Sequence, residues 1–263
     1  MPSIFAYQSA EVDWCEGNFE HSEYIAEYYN TISNVAFFIL APLLMWLNSS
    51  YRDVRPIPVH TLFVIQFCIG AFSLYFHMTL SYVGQLLDEL SILWGLSICY
   101  AFWFPVRYFP GFIKNREQFI QMVIIVTIVS TLMSFVRPAL NAYALNCIAF
   151  HLLYLTVQEL RQCKNPRVHR LAASLVIWWL ISISCWLVDK FLCNFCQKIN
   201  FCYLHSFWHI FINVTIFYCA TLVMYFDVLY EMPNNEPVLT YWPSETSFFA
   251  LPYILVQKTQ KLF

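Results

Sequence analysis

The sequence predicts an all-α membrane protein, a bundle of seven transmembrane helices with its N-terminus luminal and its C-terminus cytosolic. Three observations carry this. Sixty per cent of the residues are hydrophobic and only 11% are charged, against about 25% charged in a soluble domain. Ordinary core burial does not account for that shortfall, so part of the chain's solvent is lipid. The apolar residues fall in seven runs long enough to cross a bilayer, and the basic residues gather on one side of those runs.

Residues 1–28 form a luminal segment that precedes the first run. It lacks both a basic start and an early apolar stretch, so no cleavable signal peptide is expected. A lipid-exposed backbone must satisfy its own hydrogen bonds, which makes each apolar run a helix. The helices are expected at 29–48, 58–80, 86–106, 117–136, 139–159, 170–192 and 204–226, giving a membrane domain over 29–226. Breaks fall between them: Arg55-Pro56 and Pro58 after the first, Phe109-Pro110-Gly111 after the third and Arg137-Pro138 after the fourth. The polar stretch Arg161–Arg170 follows the fifth. Residues 227–263 carry Pro233, Pro237, Pro243 and Pro252, and read as an extended, non-spanning cytosolic tail.

Orientation follows from the lysines and arginines, which accumulate in cytoplasmic loops. Eleven of the fourteen lie after helices 1, 3 and 5 or in the tail: Arg52, Arg55, Arg107, Lys114, Arg116, Arg161, Lys164, Arg167, Arg170, Lys258 and Lys261. The other side holds Arg137, Lys190 and Lys198. The formal net charge of −2 leaves no broad basic surface, which excludes a nucleic-acid partner. Neither N-x-S/T sequon is a luminal acceptor, because Asn48 sits at the cytosolic end of helix 1 and Asn213 inside helix 7.

Ionisable residues inside spans are costly and usually functional. His205 and His209 in LHSFWH are spaced i, i+4, so both imidazoles project from one helical face and can reach a shared metal. Ser73 and His77 repeat that spacing near the luminal end of helix 2, and Asp88 with Glu89 opens helix 3. Under this topology His77, His205, His209, Asp88 and Ser73 lie near one depth. Three protein ligands plus a water is the usual form of a catalytic zinc site, a nearby carboxylate can relay a proton, and a hydroxyl can hold a developing oxyanion. Asp88 takes the proton role ahead of Glu89, which points about 100° away around the helix. The plainer readings are hydrogen-bonded histidines, a carboxylate placed by the helix dipole and a helix-packing serine. His21, His60, His151 and His169 do not join the set.

Residues 11–27 hold six carboxylates (Glu11, Asp13, Glu16, Glu20, Glu23, Glu27) and no basic residue. Asp13, Glu16 and Asn18 are close enough in sequence to wrap a calcium ion, with Glu27 arriving from helix 1. This is not the EF-hand pattern, and spacing alone favours a merely solvated acidic segment. Cys15 and Cys193 both fall on the luminal side, where disulfides persist, with Cys196 and Cys202 as competing partners.

The motifs DWCEGN, YIAEYYNTISN, FHMTLSYVGQLLDE and LHSFWH, in that order, closely resemble the alkaline ceramidase family across nearly the whole chain. The opening MPSIFAYQSAEVDWCE and the tail YEMP…YWP…LPY are most similar to its type 1 branch. The resemblance implies a seven-helix zinc amidase that hydrolyses ceramide to sphingosine and a free fatty acid in the endoplasmic reticulum or Golgi membrane. It implies zinc on His77, His205 and His209, catalytic roles for Ser73 and Asp88, and calcium on Asp13, the Trp14 carbonyl, Glu16, Asn18 and Glu27. It also implies a Cys15–Cys193 disulfide. Ceramide and membrane lipid are the partners, with no obligate protein partner. Two rival readings are a seven-helix lipid receptor with structural zinc and a metal transporter; a transit path would place its ligands at several depths.

Overall fold

The computed structural model describes residues 3–136, 139–247 and 250–258. Arg137, Pro138 and Lys261, used above, lie outside the described residues. The chain is predominantly helical, and among the described residues six helices are long and apolar enough to cross a membrane.

The first span is interrupted. α1 (Tyr28–Ser33) and α2 (Val35–Leu47) meet at Asn34, whose side chain donates to the Asn30 carbonyl at 2.9 Å. A side chain bonding back to the preceding turn competes with regular helix continuation. The short α3 (Ser49–Val54) then leads into α4 (Pro56–Thr79), which starts with Pro56 where its missing N–H costs nothing.

α5 (Tyr82–Trp103) begins four residues before the expected start, because Ser81 caps it by accepting from the Gly84 N–H at 3.1 Å. This corrects the placement of Asp88 and Glu89. They sit in the second turn rather than the first, so the helix dipole does not account for them. α6 (Arg116–Val136) and α7 (Ala139–Gln162) follow. α8 (Pro166–Phe191) again starts early, on Pro166 with an Asn165 cap, and absorbs part of the polar stretch. α9 (Cys193–Lys198) is a single short turn, and α10 (Leu204–Glu231) is 28 residues, about 42 Å.

α10 is the axis of the bundle. It packs against α8, α2 and α1 and buries Phe217, Leu222, Met224 and Val228. α6 lies at the periphery and exposes Ile124, Ile125, Val129 and Leu132, an apolar face that suits lipid.

The expectation of an all-α chain with an extended tail needs correction. β1 (Asn235–Trp242) and β2 (Leu251–Lys258) form an antiparallel hairpin. It docks through buried Leu239 and Ile254, and the Ile254 N–H donates to Asn48 Oδ1 at 3.0 Å. Pro237 and Pro252 fit because a two-stranded sheet is all edge, where a missing N–H breaks no second ladder. At this end Arg55 pairs with Asp227, and Tyr51 donates to the same carboxylate at 2.9 Å.

Candidate functional site

The opposite end of the bundle gathers the residues singled out from sequence. His77 lies in the last turn of α4, and His205 and His209 lie on the first two turns of α10. Their ring centroids form a nearly equilateral triangle of 4.9, 4.8 and 4.7 Å. The rings meet at angles of 52° to 80°, not stacked. One nitrogen of each lies within 4.8 Å of the others, and all three residues are buried.

The chemistry of these nitrogens tests whether a metal fits. His77 Nδ1 is hydrogen-bonded to the Glu27 carboxylate, and His209 Nδ1 to Ser33 Oγ at 2.7 Å. Because the Ser33 hydroxyl donates to the Asn30 carbonyl, it accepts from His209. Both rings therefore carry their proton on Nδ1 and direct the Nε2 lone pair inward. His77 Nε2 and His205 Nδ1 are buried with no hydrogen-bond partner among the described residues. Unpartnered buried polar atoms are rare. Imidazoles whose far nitrogens are tied to a carboxylate or hydroxyl are the usual preparation for metal binding. The set fits a divalent cation such as zinc.

Ser73, one helical turn before His77, lies 3.4 Å from His209 Nε2. Asp88 comes from α5, which packs against α4, and its side chain neighbours the Ser73 hydroxyl. Glu89 faces elsewhere and accepts from Gln85 at 3.0 Å.

The N-terminal segment is folded over this end. Cys15 and Cys193 form a disulfide, while Cys196 and Cys202 are free. Asp189 fixes the same junction, accepting from the Cys15 N–H at 3.0 Å and the His205 N–H at 3.2 Å. The Trp14 ring stacks on His205 at 3.7 Å. The bridge spans 178 residues of sequence, and a loop of that size stabilises by about 5 kcal/mol in the chain-entropy account. Cys193→Ser should therefore lower the Tm of the detergent-purified protein, as should a reductant on the wild type. An unchanged Tm would mean that the Asp189 bonds alone hold the segment.

Glu16 caps α1 from outside the helix, its two oxygens accepting from the Tyr29 and Asn30 N–H groups at 2.6 and 2.8 Å. Glu27 accepts from the Trp14 N–H at 3.1 Å and Asn30 Nδ2 at 3.1 Å. Burial raises its carboxyl above the usual carboxylate range, while a nearby cation would favour the charged form that accepts from His77. Asn18 Nδ2 donates to Asp13 Oδ2 at 3.0 Å, and its Oδ1 is buried without a partner. Among the described residues the acidic side chains do not converge as tightly as the histidines. Free capacity on Asp13, Asn18 and the carboxylates still suits an oxygen-seeking cation.

Sequence reasoning missed Ser33, Asn30 and Asp189, and the stacking role of Trp14. A hydroxyl three residues after Asn30 and an aspartate ending an apolar helix are ordinary in a sequence. Only the intramembrane position of Asp189 was a signal.

A family model described as Ceramidase matches residues 6–255. Alkaline ceramidase 1 of Homo sapiens is 48% identical over 262 residues, covering 99% of this chain and 99% of that protein. Alkaline ceramidase 1 of Mus musculus is 47% identical, covering 99% and 96%. Alkaline ceramidase of Drosophila melanogaster is 39% identical over 255 residues, covering 96% and 90%.

Proposed function

The chain belongs to the ceramidase family and is a ceramidase; from that premise we propose that it is a zinc-dependent, calcium-supported amidase working within the bilayer. It cleaves ceramide to sphingosine and a free fatty acid. The observation that carries this reading is the convergence of three buried imidazoles, two with unpartnered nitrogens, beside Ser73, which lies 3.4 Å from His209 Nε2.

His77, His205 and His209 would hold the zinc. Bound there, it would supply Lewis acidity toward the amide carbonyl and bring the pKa of water to about 7. Asp88 accepts the proton of the attacking water and returns it to the amine as the C–N bond breaks. Ser73, beside His209 in the resting site, turns its O–H to the developing oxyanion. Trp14, stacked on His205, keeps bulk water off the triad. Asp13, the Trp14 carbonyl, Glu16, Asn18 and Glu27 would hold calcium, fixing the segment that carries Trp14 and Glu27.

Ceramide enters sideways from the bilayer, its two tails lying among the aromatic residues of the bundle. α7, 24 residues and about 36 Å long, is the seventh span beside the six apolar ones. An odd number puts the termini on opposite sides. The disulfide beside the site suits an oxidising lumen, so the N-terminal end faces the lumen of the endoplasmic reticulum or Golgi. The hairpin end faces the cytosol.

Sphingosine release by the purified protein in detergent, with and without a calcium chelator, tests the reading. Release that falls on chelation is expected. Folded, zinc-loaded protein that releases nothing from ceramides of any chain length would overturn it. Ser33→Ala should separately weaken zinc affinity by about 10–100-fold, measured by competition with a chromogenic chelator. Unchanged affinity would show that Ser33 does not orient His209.

A further inference from the structure

Below the triad, toward the middle of the bundle, a second polar pair joins the same two helices. Asn213 stands four residues after His209 on α10, and Gln66 seven residues before Ser73 on α4. Both therefore extend the helical faces that carry the site. Gln66 Nε2 donates to Asn213 Oδ1 at 2.7 Å. Gln66 is 1% exposed and Asn213 0%. The remaining half of each amide, Gln66 Oε1 and Asn213 Nδ2, is buried with no partner among the described residues.

Two amides placed only to bind helices together can satisfy each other reciprocally, through two hydrogen bonds in a ring. These two make one, leaving a bare acceptor beside a bare donor in an apolar interior. Each group so left costs free energy. Their neighbours along the two helices, Ile65 and Ile69 on α4 and Phe217 on α10, belong to the main apolar core.

A hydroxyl is the ligand that one free acceptor and one free donor match, because it donates one hydrogen bond and accepts another. The depth selects which hydroxyl. Four residues of helix place Asn213 about 6 Å below His209. In ceramide the C3 hydroxyl oxygen lies about four bonds, roughly 5 Å, from the amide carbon, on the side of the tails. The C1 hydroxyl lies toward the head group, away from this pair. Resting on the proposed ceramide reading, we infer that Gln66 and Asn213 bind the C3 hydroxyl of the substrate. The hydroxyl donates to Gln66 Oε1 and accepts from Asn213 Nδ2. This contact sets the register of the scissile amide against His209 and Asp88, and makes the pair a specificity determinant for the sphingoid base.

The test compares kcat/KM for ceramide, its 1-deoxy analogue and its 3-deoxy analogue, all of one acyl length. The wild type should cleave the 3-deoxy analogue about 10–100-fold less well than ceramide, and should discriminate less against the 1-deoxy analogue. In Gln66→Met/Asn213→Leu the 3-deoxy penalty should shrink to within about 3-fold, while any 1-deoxy penalty stays. A wild type that cleaves the 3-deoxy analogue as readily as ceramide overturns the inference, and needs no variant to fold. So does a folded double variant that keeps the full penalty, which is the outcome for a pair that only joins helices. Failure of the underlying reading looks different: the wild type would then cleave none of the three, and the inference falls with it.

Discussion

Replacing His209 with alanine should lower ceramide hydrolysis by about 10³-fold or more, together with loss of bound zinc. His209 is the imidazole with the most neighbours of consequence. It completes the triangle with His77 and His205, lies 3.4 Å from Ser73 Oγ and is oriented by Ser33. Its removal leaves two ligands where a catalytic zinc uses three, and leaves Ser73 without its partner across the site. The structural cost is contained, because α10 is anchored by α8, α2 and the hairpin along the rest of its length. Elemental analysis of the purified variant, beside turnover and a thermal melt, separates metal loss from unfolding. A folded variant that keeps both zinc and turnover would remove His209 from the site.

The second large effect is expected from Asp88→Asn, a loss of about 10²–10⁴-fold in kcat with zinc content unchanged. Asparagine keeps the size and hydrogen-bonding capacity of the side chain, but it can neither take nor return a proton. Asp88 is not among the three residues whose nitrogens converge, so the metal should remain. This combination divides the enzyme from a receptor with structural zinc, which would tolerate the change. Turnover within a few fold of wild type would pass the proton role to another group. Glu89 is a poor substitute, since its carboxylate is engaged by Gln85.

Much of this architecture was legible in the chain because lipid enforces simple rules. A run of some twenty apolar residues without charges has to be a helix, so each expected span overlaps a helix in the structure. The ends were less legible because local capping moved them. Ser81 and Asn165 start α5 and α8 early, and that shift carried Asp88 from a first-turn position into the second turn. The C-terminal hairpin escaped detection because its prolines argue against a strand in general, and only pairing of two edge strands makes them acceptable.

The sequence by itself determined which residues make up the candidate site: histidines at i, i+4, an aspartate within an apolar helix and a serine one turn from a third histidine. Helical periodicity fixes which side chains share a face, and the membrane fixes how deep they lie. Tertiary structure alone decided which atoms meet. It chose Cys193 over Cys196 and Cys202 for Cys15, turned Trp14 onto His205, and brought Glu27 and Ser33 against the outer nitrogens of His77 and His209. It also left half of the Gln66–Asn213 pair without a partner among the described residues. These contacts join residues far apart in the chain. Their existence depends on how α1, α4 and α10 pack in three dimensions, a property that no local pattern of residues encodes.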